Sequence, residues 1–225
     1  MNNPIPQNIV IIGSSGHAKV VIDIVEKEGK YRIAGLIDAD PSAGEKIPDY
    51  RFLGKEEDLP EIVKKLKIDA GLVTIGDNYT RYHVVQKIKR IYPDLHYIST
   101  IHPAASVAKD VTIGEGTVIM AGAVVNSSSR IGRFCILNTN SSLDHDSVMG
   151  DYSSLAPNAV TGGEVRIGDF SAVSIGATVL HQIEIGEHAV IGAGSTVTKN
   201  IGSYCVAVGT PARVIRKRKA GERYL

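Results

Sequence analysis

Tryptophan is missing from the 225 residues, and there are only three phenylalanines and two cysteines. Cys135 and Cys205 lie far apart. They make no disulfide framework and no metal-type spacing, which suits a reducing cytoplasm. No apolar run approaches about 18 residues, so no membrane-spanning helix is expected. The opening MNNPIPQNIVIIG has neither a basic leader nor a small-residue cleavage site, so no secretory signal is expected. An excess of one charge is also lacking: Lys+Arg is 25, Asp+Glu is 24 and the net charge is +1, which argues against a dedicated nucleic-acid binder. What is plentiful is glycine, 23 residues, pointing to a turn-rich, repetitive architecture. With 43% hydrophobic and 22% charged residues the chain can build a core, in one large or two small domains. The small basic excess sits at one end: residues 101–212 are net −4 and residues 213–225 net +5.

The first hundred residues alternate strand and helix. Asn8–Ile12 is a short apolar run, and Ala18–Glu28 carries Val20, Val21, Ile24 and Val25 at helical spacing. Arg32–Asp38 reads as a second strand, a helix is expected around Glu56–Leu66, a buried strand over Ala70–Ile75, and an amphipathic helix over Thr80–Tyr92, ended by Pro93. That order implies a parallel sheet with packed helices, Rossmann-like in outline. Gly13, Ser14, Ser15, Gly16 and His17 fall where phosphate-binding loops fall, and Asp38 ends the second strand, where an acidic side chain often meets a ribose. The loop is not the three-glycine dinucleotide pattern, however, so spacing leaves a structural tight turn as open as a ligand loop.

The second half repeats every six residues. Starting from Ile101, the first positions of successive hexads are Val107, Ile113, Ile119, Val125, Ile131 and so on to Val197. Sixteen of the 17 are aliphatic, with Thr161 the exception, where the chain average would supply about seven. Fifth positions are Ala, Ser, Thr, Cys, Val or Ile throughout, from Ala105 to Ile201, with no insertion between 101 and 202. This period suits a parallel β-helix in which three hexads close a triangular coil of 18 residues. The large aliphatic and the small fifth residue point inward, Cys135 among the latter. Function must then lie on the outer corners.

These blocks resemble the hexapeptide-repeat acyltransferases. The stretch Asn138 to Asp146 (NTNSSLDHD), the turn Val208 to Arg213 (VGTPAR) and the N-terminal GSSGHAKVV narrow the resemblance to the sugar acetyltransferases of the bacillosamine and perosamine group and their sialic-acid O-acetyltransferase cousins. The resemblance implies a left-handed β-helix behind a Rossmann-like domain. We divide the chain into an acceptor-binding domain over 1–98, a β-helix acyltransferase domain over 99–208 and a basic tail over 209–225. It further implies transfer from acetyl-CoA, with no metal, to the amino group of a nucleotide-linked amino sugar, by a cytoplasmic homotrimer with sites between subunits and neither nucleic acid nor membrane as partner.

Residues 18 apart should stack on one corner, and one such column runs Lys109, Ser127, His145, Gly163, His181, Lys199. His145 is flanked by Asp144 and Asp146, and a carboxylate neighbour fixes an imidazole tautomer and raises its basicity. By the resemblance, His145 takes the acceptor's proton, Asp146 orients its ring, the Gly163 N–H meets the thioester oxygen, and Asn138 contacts the sugar. His181, Lys199 and Arg213 would follow the donor toward its phosphates. The resemblance places the acceptor near Gly13, Ser14, Gly16, His17, Asp38 and Asp40. Where many relatives carry a second histidine, this chain has Ser154. His102 and His188 read as surface or turn residues. The alternatives are a sialic acid O-acetyltransferase and, from the 36-residue spacing of His145 and His181, a zinc carbonic anhydrase-like β-helix. The latter wants a histidine at 186, where this chain has glycine. An NAD-binding module lacks its glycine loop, and an ice-binding scaffold lacks its threonine columns.

Overall fold

The computed structural model describes residues 7–42, 45 and 47–224. Residues 1–6 of the expected first domain and residue 225 of the expected tail lie outside that range. The N-terminal part is a five-stranded parallel sheet of β1 (Gln7–Ile12), β2 (Tyr31–Ile37), β3 (Phe52–Gly54), β4 (Ala70–Val73) and β5 (His96–Tyr97), in the order β3-β2-β1-β4-β5. Ile9 to Ile12 on central β1 are all buried, as a strand covered on both faces requires. Helix α1 (Gly16–Glu28) turns Ala18, Val21, Ile22 and Val25 onto the sheet and stops at Gly29 in the left-handed conformation. Helix α2 (Leu59–Leu66) follows a single 3-10 turn, so it starts later than the sequence pattern suggests. Helix α3 (Asn78–Ile91) is capped by Asp77, whose carboxylate accepts the Thr80 N–H at 2.8 Å. Strands β3 and β5 are too short to show a pattern and were not expected.

From Thr100 onward each hexad contributes a two-residue strand, and pairing runs from each residue to the one 18 further on: Val125 with Leu143, Arg130 with Val148, Ile136 with Ser154. The strands sort into three sheets, the faces of a prism. Face 1 carries Leu137 and Leu155, face 2 Leu143 and Thr161, face 3 Met149 and Ile167. First and fifth positions fill the interior together, Leu137, Leu143, Met149 and Leu155 beside Ala123, Cys135 and Ala159. The Cys135 thiol is buried there and pushed up to about 11, a packing residue rather than a nucleophile.

At the corners the fourth residue of many hexads sits in the left-handed region, with φ of 52 to 63° from Ser128 to His188. Bulky residues resist that conformation. On the corner between faces 3 and 1 they accept it because Phe134, Tyr152, Phe170, His188 and Tyr204 stack on one another, with centroids 4.6 to 5.3 Å apart. The N-terminal domain sits on this ladder through Tyr79 and Tyr82 of α3. Arg81, fully buried, nails the two parts together. Its guanidinium donates to the carbonyl oxygens of Ile75 and Gly76 on one side and of Phe134 and Tyr152 on the other, and to Asn78 Oδ1. His188 is therefore a turn residue, as one of the two expected readings had it, but not a surface one: burial between two rings holds its pKa below the ordinary histidine range.

Two features depart from the arithmetic. The uninterrupted register to residue 202 fails in the last coil. Ile201 bridges Ile185 and Val190 pairs Val206, each 16 residues on, so the turn over 198–200 is two residues short. An aliphatic residue at 201 fits either register, which hid the shortening. The segment after 209 is not a free tail: Ala212–Lys217 is a strand pairing antiparallel with Cys205–Gly209 at the end of face 1. No helix among the described residues is long and apolar enough to cross a membrane.

Candidate active site

His145 lies on the corner between faces 2 and 3, after the strand Ser142–Leu143. Asp144 Oδ1 accepts the His145 backbone N–H at 2.8 Å and the Asn126 side-chain amide at 2.6 Å, which anchors the turn to the preceding coil. Those bonds hold the Asp144 carboxyl below its usual range. The Asp144 N–H in turn donates to Thr161 Oγ1 at 3.1 Å. This is why the one non-aliphatic first position is a threonine: its hydroxyl serves the turn that carries His145.

Asp146, in the left-handed conformation, brings its Oδ2 to 2.8 Å from His145 Nδ1. An ionised carboxylate only accepts, so the proton rests on Nδ1 and Nε2 presents its lone pair outward. The same hydrogen bond raises the His145 pKa above 6.5, with Asp144, Asp146 and Glu164 adding negative charge. The ring is about half exposed. It lies across the next coil at Gly163, where an added Cβ would stand 2.5 Å from Nε2. Only glycine leaves room for the imidazole at this height. The Gly163 N–H donates to no group among the described residues. His181 follows one coil on and is exposed, with no ionic partner among the described residues. Lys199 falls in the shortened turn, where the column loses its register. Arg213 lies on the terminal strand paired with Val208, at the end of face 1, so it and Lys199 leave the prism at different corners. Among the described residues no three His, Cys, Asp or Glu side chains gather as a metal site.

The N-terminal loop is tied to its acidic turn. Gly13, at φ +105°, bonds through its N–H to Ile37 O, and Ser14 Oγ donates to Asp38 Oδ2 at 2.6 Å. Asp38 Oδ1 accepts the Asp40 N–H, and Asp40 accepts from Ser42. Gly13, Ser14, Asp38, Glu56 and Thr80 surround a cavity of about 230 Å³. Gly16 opens α1 with nothing within 4 Å of an added Cβ. His17 faces elsewhere. It lines a separate cavity of about 540 Å³ between the domains, together with Asn138, Ser154 and Tyr224. Burial, helped by the Arg81 charge, lowers its pKa to about 4, so it is neutral near pH 7, and its Nε2 has no hydrogen-bond partner among the described residues.

The structure thus joins His145, Asp146 and Gly163, and separately joins His17 and Asn138. It does not join the two groups within one chain, because Asn138 occupies the corner between faces 1 and 2, a full face away from His145. Thr161 and Tyr224 escaped the sequence reading. Thr161 stood out as the break in the aliphatic column. Tyr224 gave no local signal, since its neighbours come from residues 78 and 154.

Residues 8–88 match the family model of the PglD N-terminal domain, and residues 164–199 match the bacterial transferase hexapeptide (six repeats). The chain is 34% identical over 115 residues to UDP-N-acetylbacillosamine N-acetyltransferase of Bacillus subtilis (strain 168). That stretch covers 51% of this chain and 52% of the relative, so the match spans about half the relative's length. Among solved structures it is similar to a histidine-to-asparagine variant of perosamine N-acetyltransferase from Caulobacter crescentus in complex with CoA and GDP-perosamine. There the TM-score is 0.87 at 32% identity, covering 93% of this chain and 97% of that one. The acetyltransferase domain of PglB from Neisseria gonorrhoeae FA1090, in complex with acetyl coenzyme A, gives a TM-score of 0.84 at 26% identity, covering 93% and 100%.

Proposed function

The chain belongs to the CoA-dependent hexapeptide-repeat sugar N-acetyltransferases, with their Rossmann-like domain and left-handed β-helix, and on that premise we propose that it acetylates the amino group of a nucleotide-linked amino sugar of the 4-amino-4,6-dideoxyhexose type. The observation that carries this reading is the 2.8 Å bond from His145 Nδ1 to Asp146, which leaves Nε2 basic, exposed and facing Gly163. His145 Nε2 takes a proton from the acceptor amine as its nitrogen lone pair attacks the thioester carbon of acetyl-CoA. The carbonyl electrons move onto oxygen, where the Gly163 N–H meets them. When the C=O re-forms, the C–S bond breaks and the thiolate leaves, taking its proton from His145 as CoA thiol. No covalent enzyme intermediate is needed.

The acceptor is assigned to the N-terminal domain and the inter-domain cavity, with Gly13, Ser14, Gly16, Asp38 and Asp40 toward its nucleotide and His17 and Asn138 toward its sugar. The donor runs along the prism past His181, with Lys199 and Arg213 near its phosphates. Because His145 and Asn138 stand on different corners of one chain, a single copy holds half a site. A homotrimer in which the His145 corner of one subunit meets the Asn138 corner of the next completes it. Two free, buried cysteines suit the reducing compartment proposed for the enzyme, the cytoplasm. The test is an acetyl-CoA turnover assay against UDP-, GDP- and dTDP-linked 4-amino sugars and CMP-sialic acid, with light scattering on the same sample. Turnover of an amino sugar by a trimer is expected; acetylation of CMP-sialic acid alone, or full activity as a monomer, overturns the reading.

A further inference from the structure

The inter-domain cavity has a bed of aliphatic side chains, Ile136, Leu155, Val173 and Ile175 among them, and a small polar group made by His17, Asn138, Ser154 and Tyr224. Three of those four come from the loop and the prism. Tyr224 comes from the far end of the chain and is brought back by a strap that the structure fixes at several points. Arg218 is buried and donates to His188 O at 2.9 Å and to Glu222 O. Glu222 accepts from the Lys219 N–H and from Arg216. Gly221 lies so close to the Tyr79 ring that any side chain there would strike it. The Arg218 guanidinium stands 5.8 Å over the Tyr224 ring. The phenol is thereby delivered to the start of α3, where its oxygen accepts the Asn78 N–H at 3.4 Å, beside the Ser154 side chain. An oxygen that accepts there keeps its own O–H for Ser154 or for a ligand.

We propose that Tyr224 is a specificity-determining residue of the acceptor site: its ring walls off the inter-domain cavity, and its hydroxyl, with Ser154, reads a hydroxyl or amide carbonyl on the pyranose of the acceptor. An apolar bed with polar groups on one side matches a deoxyhexose, whose methyl group takes the aliphatic side and whose remaining oxygens take the other. This inference rests on the function proposed above.

Tyr224→Phe keeps the ring under Arg218 and removes only the hydroxyl. At saturating acetyl-CoA it is expected to raise the acceptor KM about 3–10-fold, the worth of one hydrogen bond, with kcat and the acetyl-CoA KM within about twofold of the parent. Tyr224→Ala removes the wall as well and is expected to narrow the preference for a 6-deoxy acceptor over its 6-hydroxy counterpart about fivefold or more. Thermal melting of both variants separates this from a folding effect, and Tyr224→Phe decides if Tyr224→Ala is unstable. An acceptor KM unchanged in Tyr224→Phe overturns the inference, as does an equal rise in both substrates' KM with a lowered Tm. Parent protein that acetylates none of the amino-sugar panel overturns the functional reading and the inference together. Parent turnover with Tyr224→Phe matching it overturns the inference alone.

Discussion

Two corners of the same prism share a backbone and differ in what they carry. Between faces 3 and 1 the left-handed fourth positions hold Phe134, Tyr152, Phe170 and His188, stacked and covered by the N-terminal domain. Between faces 2 and 3 the equivalent positions hold Ser128, Asp146, Glu164 and Gln182, all at positive φ and lining an open polar groove. One corner spends its repeats on burial, so it contributes stability and fixes the domains. The other gains little from burial and can place an exposed imidazole over a glycine. A repeat fold separates scaffold from chemistry by residue choice at one corner rather than by a change of backbone.

The largest expected effect lies on the polar corner. His145→Ala should lower kcat by about 10²–10⁴-fold, the range for a lost general base, with Tm held, because the ring is half exposed and buries little surface. Steady-state kinetics with a melting curve checks both halves. The aromatic corner should behave in the opposite way. Phe134→Ala empties a site that is 1% exposed and should cost about 3–5 kcal/mol of stability by denaturant titration. The kcat of the remaining folded enzyme should stay near that of the parent. A large kcat loss with stability intact would erase the distinction between the corners.

A smaller effect is expected from His17. Its folded pKa of about 4 lies below the unfolded 6.5, so the folded state binds fewer protons in that window. Burial of neutral His17 therefore opposes acid: stability is intact above about pH 6.5 and falls as pH drops toward 4, by about 3 kcal/mol at most. His17→Gln should flatten that part of the stability–pH curve, measured by urea titration at several pH values. The smallest effect belongs to Lys199 and Arg213. Both are exposed and stand at different corners, so neutralising them together should raise the acetyl-CoA KM only about 2–5-fold. The change should be larger at low salt, and absent with acetyl-pantetheine as donor.

The period, the inward positions and the His145 column were legible because each depends only on counting by 18, and pairing in that register holds from Thr100 to Val197. The column of fourth positions could have been counted the same way, and would have moved His188 from the surface into the ring stack. The shortened turn at 198–200 was not legible, since Ile201 serves as an inward residue in either register. Asn138 is instructive. One hexad before the His145 block is one face before it, so the count that made it a neighbour in sequence also put it around a corner. The meeting of His17 with Asn138, and of Tyr224 with Ser154, depends on how the two domains pack, which no local pattern encodes.

In the mechanism proposed above, Asp146 holds His145 as a base with a raised pKa at the polar corner. The pH dependence of kcat/KM for the acceptor, measured for the parent and for Asp146→Asn, tests it most directly. An acid limb is expected in the parent with its midpoint above 6.5, where neutral His145 replaces the imidazolium, and in Asp146→Asn a shift of that midpoint to lower pH with reduced kcat. A limb at the same midpoint and height in both proteins would contradict it.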